Sequence, residues 1–125
     1  MILIPEKLME VLKHEGIAAI VTEGTDGAHV VNAYNSCIKI TADGRLLIPV
    51  GVMNVTEANI KQNSKVLMTI GSREVQGCNS MGTGFLIRGI GAFVYEGPDF
   101  DEMKDRFPWI RAVLKIEAQS ITQTL

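Results

Sequence analysis

The chain of 125 residues is 46% apolar and 21% charged, with a formal net charge of −2, which fits one domain around a single hydrophobic core. It carries no block of like charges, and that argues against nucleic acid as the main partner, since neutralising phosphates takes clustered Lys and Arg. Its longest apolar runs fall far below the ~18 residues needed to span a bilayer, and Met1 to Pro5 is too short and lacks the basic start of a signal peptide; a cytoplasmic location is the default expectation.

Taken in order, Pro5 and Glu6 suit the first turn of a helix. Leu8, Met9, Val11 and Leu12 form its apolar stripe and Gly16 sits where a C-terminal cap belongs, so a short helix is expected over Glu6 to Glu15. His14 near its end faces the helix dipole. Ile17 to Thr22 reads as a buried strand, Gly24-Thr25-Asp26-Gly27 as a hairpin turn, and His29 to Ile40 as the return strand. Thr41 to Gly44 is a second turn leading into Arg45–Val50, which makes a three-stranded meander the simplest arrangement. Cys37 and Cys78 match no CxxC or zinc spacing and read as reduced packing residues.

Leu46 to Asn59 begins as an apolar run, passes Pro49 and Gly51, and then turns helical. Asn54 with Glu57 three residues later is a near-match to a capping box. Strand, tight turn and helix start put free N–H groups and a helix dipole at one point, a place that favours an anion such as phosphate. After the helix at Thr56 to Gln62, Lys65 to Gly71 alternates as a strand. Ser72 to Thr83, rich in Gly, Ser and Asn, reads as a long loop. Gly84 to Tyr95 is a strand broken by glycines, Pro98 to Arg106 a short helix, and Ala112 to Ser120 the last strand. Six strands with little helix indicate a mainly β fold, an antiparallel barrel or sandwich.

No nucleophile–base–orienter set can be assembled, and neither His14 nor His29 has a catalytic or metal spacing. Chemistry, if any, then comes from a cofactor. Asn32-Ala33-Tyr34-Asn35-Ser36 brings amides, an aromatic ring and a hydroxyl together, a set able to hydrogen-bond and pack against a heteroaromatic ring.

At these residues the chain resembles the FMN-binding split-barrel superfamily, the pyridoxamine 5′-phosphate oxidase-like fold, and within it the small FMN-binding proteins of sulfate-reducing anaerobes. The resemblance rests on Val11 to Gly16, Asn35-Ser36, Pro49-Val50-Gly51 followed by Thr56-Glu57-Ala58-Asn59, Val66 to Arg73, Gly82 to Gly89 and Gln123-Thr124-Leu125, and so covers nearly the whole chain. It implies a single domain over residues 1–125: a six-stranded antiparallel split β-barrel with two or three short helices. It also implies a homodimer with one FMN per subunit near the dimer interface.

The cofactor-binding residues that the resemblance implies are Asn32, Ala33, Tyr34, Asn35 and Ser36 along the flavin, Pro49, Val50 and Gly51 by the ring, and Thr56 at the phosphate. It adds Glu15 and Trp109 near the ring, and Leu125 reaching the flavin of the other subunit. The chain departs from the family at three points. Val55 replaces a lysine beside the phosphate, a loss of ~1.5–3 kcal/mol if that hydrogen bond is charge-assisted, with Arg73, Lys61 and Arg88 as candidates to compensate. Tyr34 replaces a tryptophan on the ring, and Cys37 a neighbouring tyrosine. The functional expectation is an FMN-binding redox or electron-transfer protein with an unknown redox partner. The alternatives are an FMN-dependent oxidoreductase or flavin reductase using NAD(P)H, and a non-catalytic flavin-binding module.

Overall fold

Seven antiparallel strands form in the computed structural model, which describes residues 2–125. In chain order they are β1 (Ile17–Gly24), β2 (Gly27–Tyr34), β3 (Lys39–Ile40), β4 (Arg45–Val50), β5 (Lys65–Gln76), β6 (Met81–Val94) and β7 (Ala112–Gln123). Three helices accompany them: α1 (Glu6–Val11), α2 (Asn54–Gln62) and α3 (Pro98–Arg106).

All seven strands join one sheet, in the order β2-β1-β5-β6-β7-β4-β3. Strands near opposite ends of that order nonetheless share a core. Ala33 of β2 and Leu46, Ile48 and Val50 of β4 are buried in the same cluster as Ile20, Met68, Phe85, Ile87 and Leu114. A sheet whose two ends fill one interior has curled on itself, and the split lies between β2 and β3. Leu8 and Val11 of α1 are fully buried in that core. On the outside, Leu47 and Val113 pack with Met103 of α3, Ile110 and the half-buried Phe107. Both faces of β4 are therefore covered, which is why its sequence is continuously apolar rather than alternating.

Several expectations are corrected. The strand count is seven, not six, because the expected strand over His29 to Ile40 is interrupted by a 3-10 turn at Asn35–Cys37. There the Asn35 amide donates to Gly16 O at 3.0 Å, while its side chain donates to His14 O at 3.1 Å and Gly71 O at 2.9 Å. A buried asparagine that binds three carbonyls on two other segments pulls the chain out of the ladder. The meander fails as well: β5, β6 and β7 lie between the β1–β2 hairpin and β4.

The long loop expected at Ser72 to Thr83 shrinks to residues 77–80, closed by Gly77 N–H donating to Ser80 O at 2.8 Å; buried Ser72, Val75 and Thr83 anchor the flanking strands. Helix α1 stops at Val11, four residues before Glu15. The capping box at Asn54 does not form: no side chain caps α2, and Glu57 is turned to Arg111 and Tyr95 instead.

Candidate functional site

Strand β4 pairs with β7 along its whole length, but with the two-residue β3 only at Leu46 and Leu47. Beyond that point β4 has one unpaired flank, which is where a strand tolerates a proline. Pro49 and Gly51 there form one wall of a hollow of about 360 Å³, which Asn32, Ala33, Tyr34 and Cys37 line from the β2 side. Trp109 closes it from the segment before β7, together with Val52 and Met53. Trp109 rests against the Phe107 ring at 5.8 Å between centroids. A side chain at Gly51 would press on the indole, since a Cβ there would lie 3.3 Å from it. Tyr34 is 57% exposed and Trp109 59%. The hollow is thus an aromatic slot open on one side.

Its far end runs into the start of α2 through Met53. Met53 is the one non-glycine residue at positive φ among the described residues (φ 53°, ψ 40°). That left-handed conformation costs a side-chain-bearing residue roughly 1–2 kcal/mol. It turns the chain sharply enough for the first N–H groups of α2 to stay free of intrahelical partners. Thr56, in the first turn, is fully buried, and its hydroxyl has no hydrogen-bond partner among the described residues. Leaving a buried hydroxyl unpaired costs ~1–3 kcal/mol.

The cation at this turn is Arg111. Its Nε donates to Gly51 O at 3.0 Å, and its Nη2 reaches Val52 O, Asn54 Oδ1 at 3.2 Å and Glu57 Oε1 at 3.0 Å. Tyr95 donates its hydroxyl to the other oxygen of Glu57. Arg111 first and Tyr95 second hold the Glu57 carboxyl below its ordinary value, and the same carboxylate pushes the Tyr95 hydroxyl up.

A second cleft, of about 530 Å³, is lined by Glu15, Gly16, Arg73, Ser80, Thr83 and Leu125 among others. Glu15 accepts from the Ser36 amide at 3.1 Å and the Ser36 hydroxyl at 2.7 Å. The Ser36 hydroxyl is the main reason its carboxyl is held below the usual carboxylate value. Leu125 is drawn in by its carbonyl oxygen, which accepts from Thr83 Oγ1 at 2.8 Å and from the Gln123 side chain at 2.9 Å.

The residues singled out from the sequence are therefore divided. Asn32, Ala33, Tyr34, Pro49, Gly51 and Trp109 line the hollow, and Thr56 is buried in the first turn of the helix at its end. Val50 faces the core, fully buried. Asn35 is buried as well and lines neither cavity; its Oδ1 is, among the described residues, the other buried side-chain polar atom without a partner. Glu15 and Leu125 belong to the second cleft; Ser36 lines neither cavity and is bonded to Glu15.

None of the expected substitutes for a basic residue at Val55 lies at the α2 start. Arg73 is in the second cleft, Arg88 lines a groove with Lys65 and Leu67, and Lys61 sits a turn further on, 3.9 Å from Glu57 Oε2. Arg111 was missed. Its role depends on the pairing of Val50 with Ala112 across the sheet, and no local pattern announces that.

A curled antiparallel sheet split beside a short strand, with an aromatic slot ending at a helix N-terminus, is the architecture of the FMN-binding split-barrel superfamily, and the chain belongs to it. Over 123 residues it is 50% identical to the FMN-binding protein of Nitratidesulfovibrio vulgaris (strain DSM 19637 / Miyazaki F), covering 98% of this chain and 100% of that protein. Among solved structures, HupZ of Group A Streptococcus superposes with a TM-score of 0.80 at 17% identity, covering 97% of this chain and 94% of that one. An FMN-binding protein from Syntrophomonas wolfei subsp. wolfei does so with a TM-score of 0.73 at 18% identity, covering 96% and 85%. These two likenesses speak to the fold. No family model matches the chain.

Proposed function

We propose that the chain binds FMN, with the ring in the hollow and the phosphate at the start of α2, and serves as a small redox protein. The observation that carries this reading is the unpartnered, fully buried Thr56 hydroxyl in the first turn of the helix that begins where an aromatic slot ends. The residues fit the group. Ala33, Pro49 and the aromatic faces of Tyr34 and Trp109 suit a flat heteroaromatic ring. Asn32 offers a donor and an acceptor to ring edges. Gly51 leaves the backbone approachable, and the free N–H groups of α2 with Thr56 suit a phosphate. The 50% identity to a protein named FMN-binding points the same way.

When bound, FMN supplies one- and two-electron chemistry, and the protein supplies binding, orientation and charge. The hollow's lining holds no carboxylate or imidazole, and Cys37 and Tyr34 are its ionisable side chains. Glu15, kept ionised by Ser36, places a fixed negative charge next to the segment that lines the slot.

Apolar side chains stand exposed at both cavities, Tyr34, Val52 and Trp109 at the hollow and Ile17, Met81 and Leu125 at the cleft, with Val30 and Val55 exposed elsewhere on β2 and α2. A homodimer would cover such a surface and would let Leu125 of one subunit approach the other's flavin. A second reading, an FMN-dependent oxidoreductase or flavin reductase, is favoured by the open side of the slot at Tyr34 and Trp109. The test is the visible spectrum of purified protein with the released cofactor identified, followed by rapid mixing with NADPH. Flavin absorbance that persists supports an electron carrier, fast bleaching moves the assignment to the reductase, and a protein that stays colourless with added FMN removes both.

A further inference from the structure

We propose that Arg111 is a positioning residue for the phosphate end of the site: its guanidinium clamps the left-handed turn at Gly51–Asn54 and neutralises Glu57. The α2 start can then receive an anion without a basic side chain of its own. The proposal rests on the FMN reading for the identity of the anion, but the clamp itself is a property of the turn.

Three observations meet here. First, residues 54–57 are Asn, Val, Thr and Glu, so the charge carried by the first turn of α2 is negative. Left alone, Glu57 would repel an anion at this helix end and cancel part of the dipole. Its side chain is only 15% exposed, and it is engaged by Arg111 at 3.0 Å.

Second, the guanidinium is aimed at the turn's backbone. It bonds the carbonyls of Gly51 and Val52 and the side chain of Asn54, the three residues that lead into and out of Met53. A planar fork with several donors is suited to holding adjacent carbonyls at a fixed spacing, which an ammonium group cannot do. Third, the turn needs holding. Met53 is in a conformation that a methionine adopts only when its surroundings enforce it, and its carbonyl accepts the Glu57 N–H at 2.9 Å to open the helix. The backbone of Arg111 is anchored at the point where β7 meets the end of β4, its amide donating to Val50 O at 2.9 Å. A cross-sheet residue thus fixes the direction in which the free N–H groups of α2 point.

The experiment compares the full chain with its Arg111→Gln and Arg111→Lys variants, using riboflavin as the probe that lacks the phosphate. For Arg111→Gln, FMN affinity should fall roughly tenfold or more while riboflavin affinity stays within about threefold. In flavin-free protein, the Glu57 amide should exchange with solvent roughly tenfold faster while amides in β5 and β6 keep their protection. Arg111→Lys should resemble Arg111→Gln in Glu57 amide exchange, because charge without the fork does not hold the turn. Its FMN affinity should fall between those of Arg111→Gln and the unsubstituted chain, because the charge opposite Glu57 is kept. Equal losses for both flavins, an unchanged Glu57 exchange rate, or a lysine variant indistinguishable from the unsubstituted chain would each overturn the proposal. Should the unsubstituted chain bind neither flavin, the FMN reading falls, and the exchange experiment still decides whether the clamp exists.

Discussion

The hollow beneath Tyr34 and Trp109 and the cleft at Glu15 and Leu125 treat their polar atoms differently. In the cleft, the carboxylate of Glu15 is bonded by Ser36 and by the Gly16 amide, and the carbonyl of Leu125 by Thr83 and Gln123. At the hollow's end, the Thr56 hydroxyl is orphaned and Met53 is in a left-handed conformation. Together these cost the protein on the order of 2–5 kcal/mol, a large share of the 5–15 kcal/mol by which a domain of this kind is stable. Strain and unmet hydrogen bonds persist where function holds them. The contrast is one of degree, since buried Asn35 Oδ1, on a side chain bonded to Gly71 of the cleft, is unpartnered too. Only at the hollow's end does an orphaned atom meet a left-handed turn.

The largest effect that separates the two regions is expected from Trp109→Ala. It removes one wall of the hollow and should weaken FMN and riboflavin alike by roughly tenfold, with little change in melting temperature because the ring is mostly exposed. The matching change in the cleft, Glu15→Gln, should leave both affinities within about threefold. Fluorescence titration decides this, and comparable losses from both variants would erase the distinction.

A smaller effect is expected in acid. Glu57 and Glu15 are both held below the ordinary carboxylate value of 4.5 by hydrogen bonds. A group depressed in the folded state contributes stability above its unfolded pKa, and that stability is lost as pH falls through the folded value. Denaturant midpoints should therefore be level down to about pH 4.5 and decline below it. Glu57→Gln should flatten the decline more than Glu15→Gln, since Glu57 is less exposed and paired with Arg111. An acid limb unaltered in both variants would show that neither carboxylate is held as described.

Much of the architecture could be read from the chain because its signals are local. Gly24 to Gly27 turns the first hairpin, Pro98 opens α3, and the apolar run of β4 was visible before its two covered faces were known. What failed was decided by distant partners. The polar Ser72 to Thr83 stretch suggested a loop, yet most of it forms strand ends, because Ser72, Val75 and Thr83 are buried against the rest of the sheet. The strand expected across Asn35 breaks because that side chain answers carbonyls at His14 and Gly71. At the site, Tyr34, Pro49, Gly51 and the strand-to-helix change were legible locally, whereas Thr56 and Trp109 were singled out only through the family resemblance. Arg111 was not, since only the β4–β7 register brings it there, more than fifty residues along the chain from the turn it holds.

The central claim is that the buried Thr56 hydroxyl is kept unpaired in order to receive a phosphate. Thr56→Val removes the hydroxyl with almost no change in shape, so denaturation and flavin titration of the same variant test the claim together. The flavin-free protein should become more stable by ~1 kcal/mol, FMN affinity should drop roughly tenfold, and riboflavin affinity should not change. A variant that is less stable and still distinguishes FMN from riboflavin as the unsubstituted chain does would contradict the account.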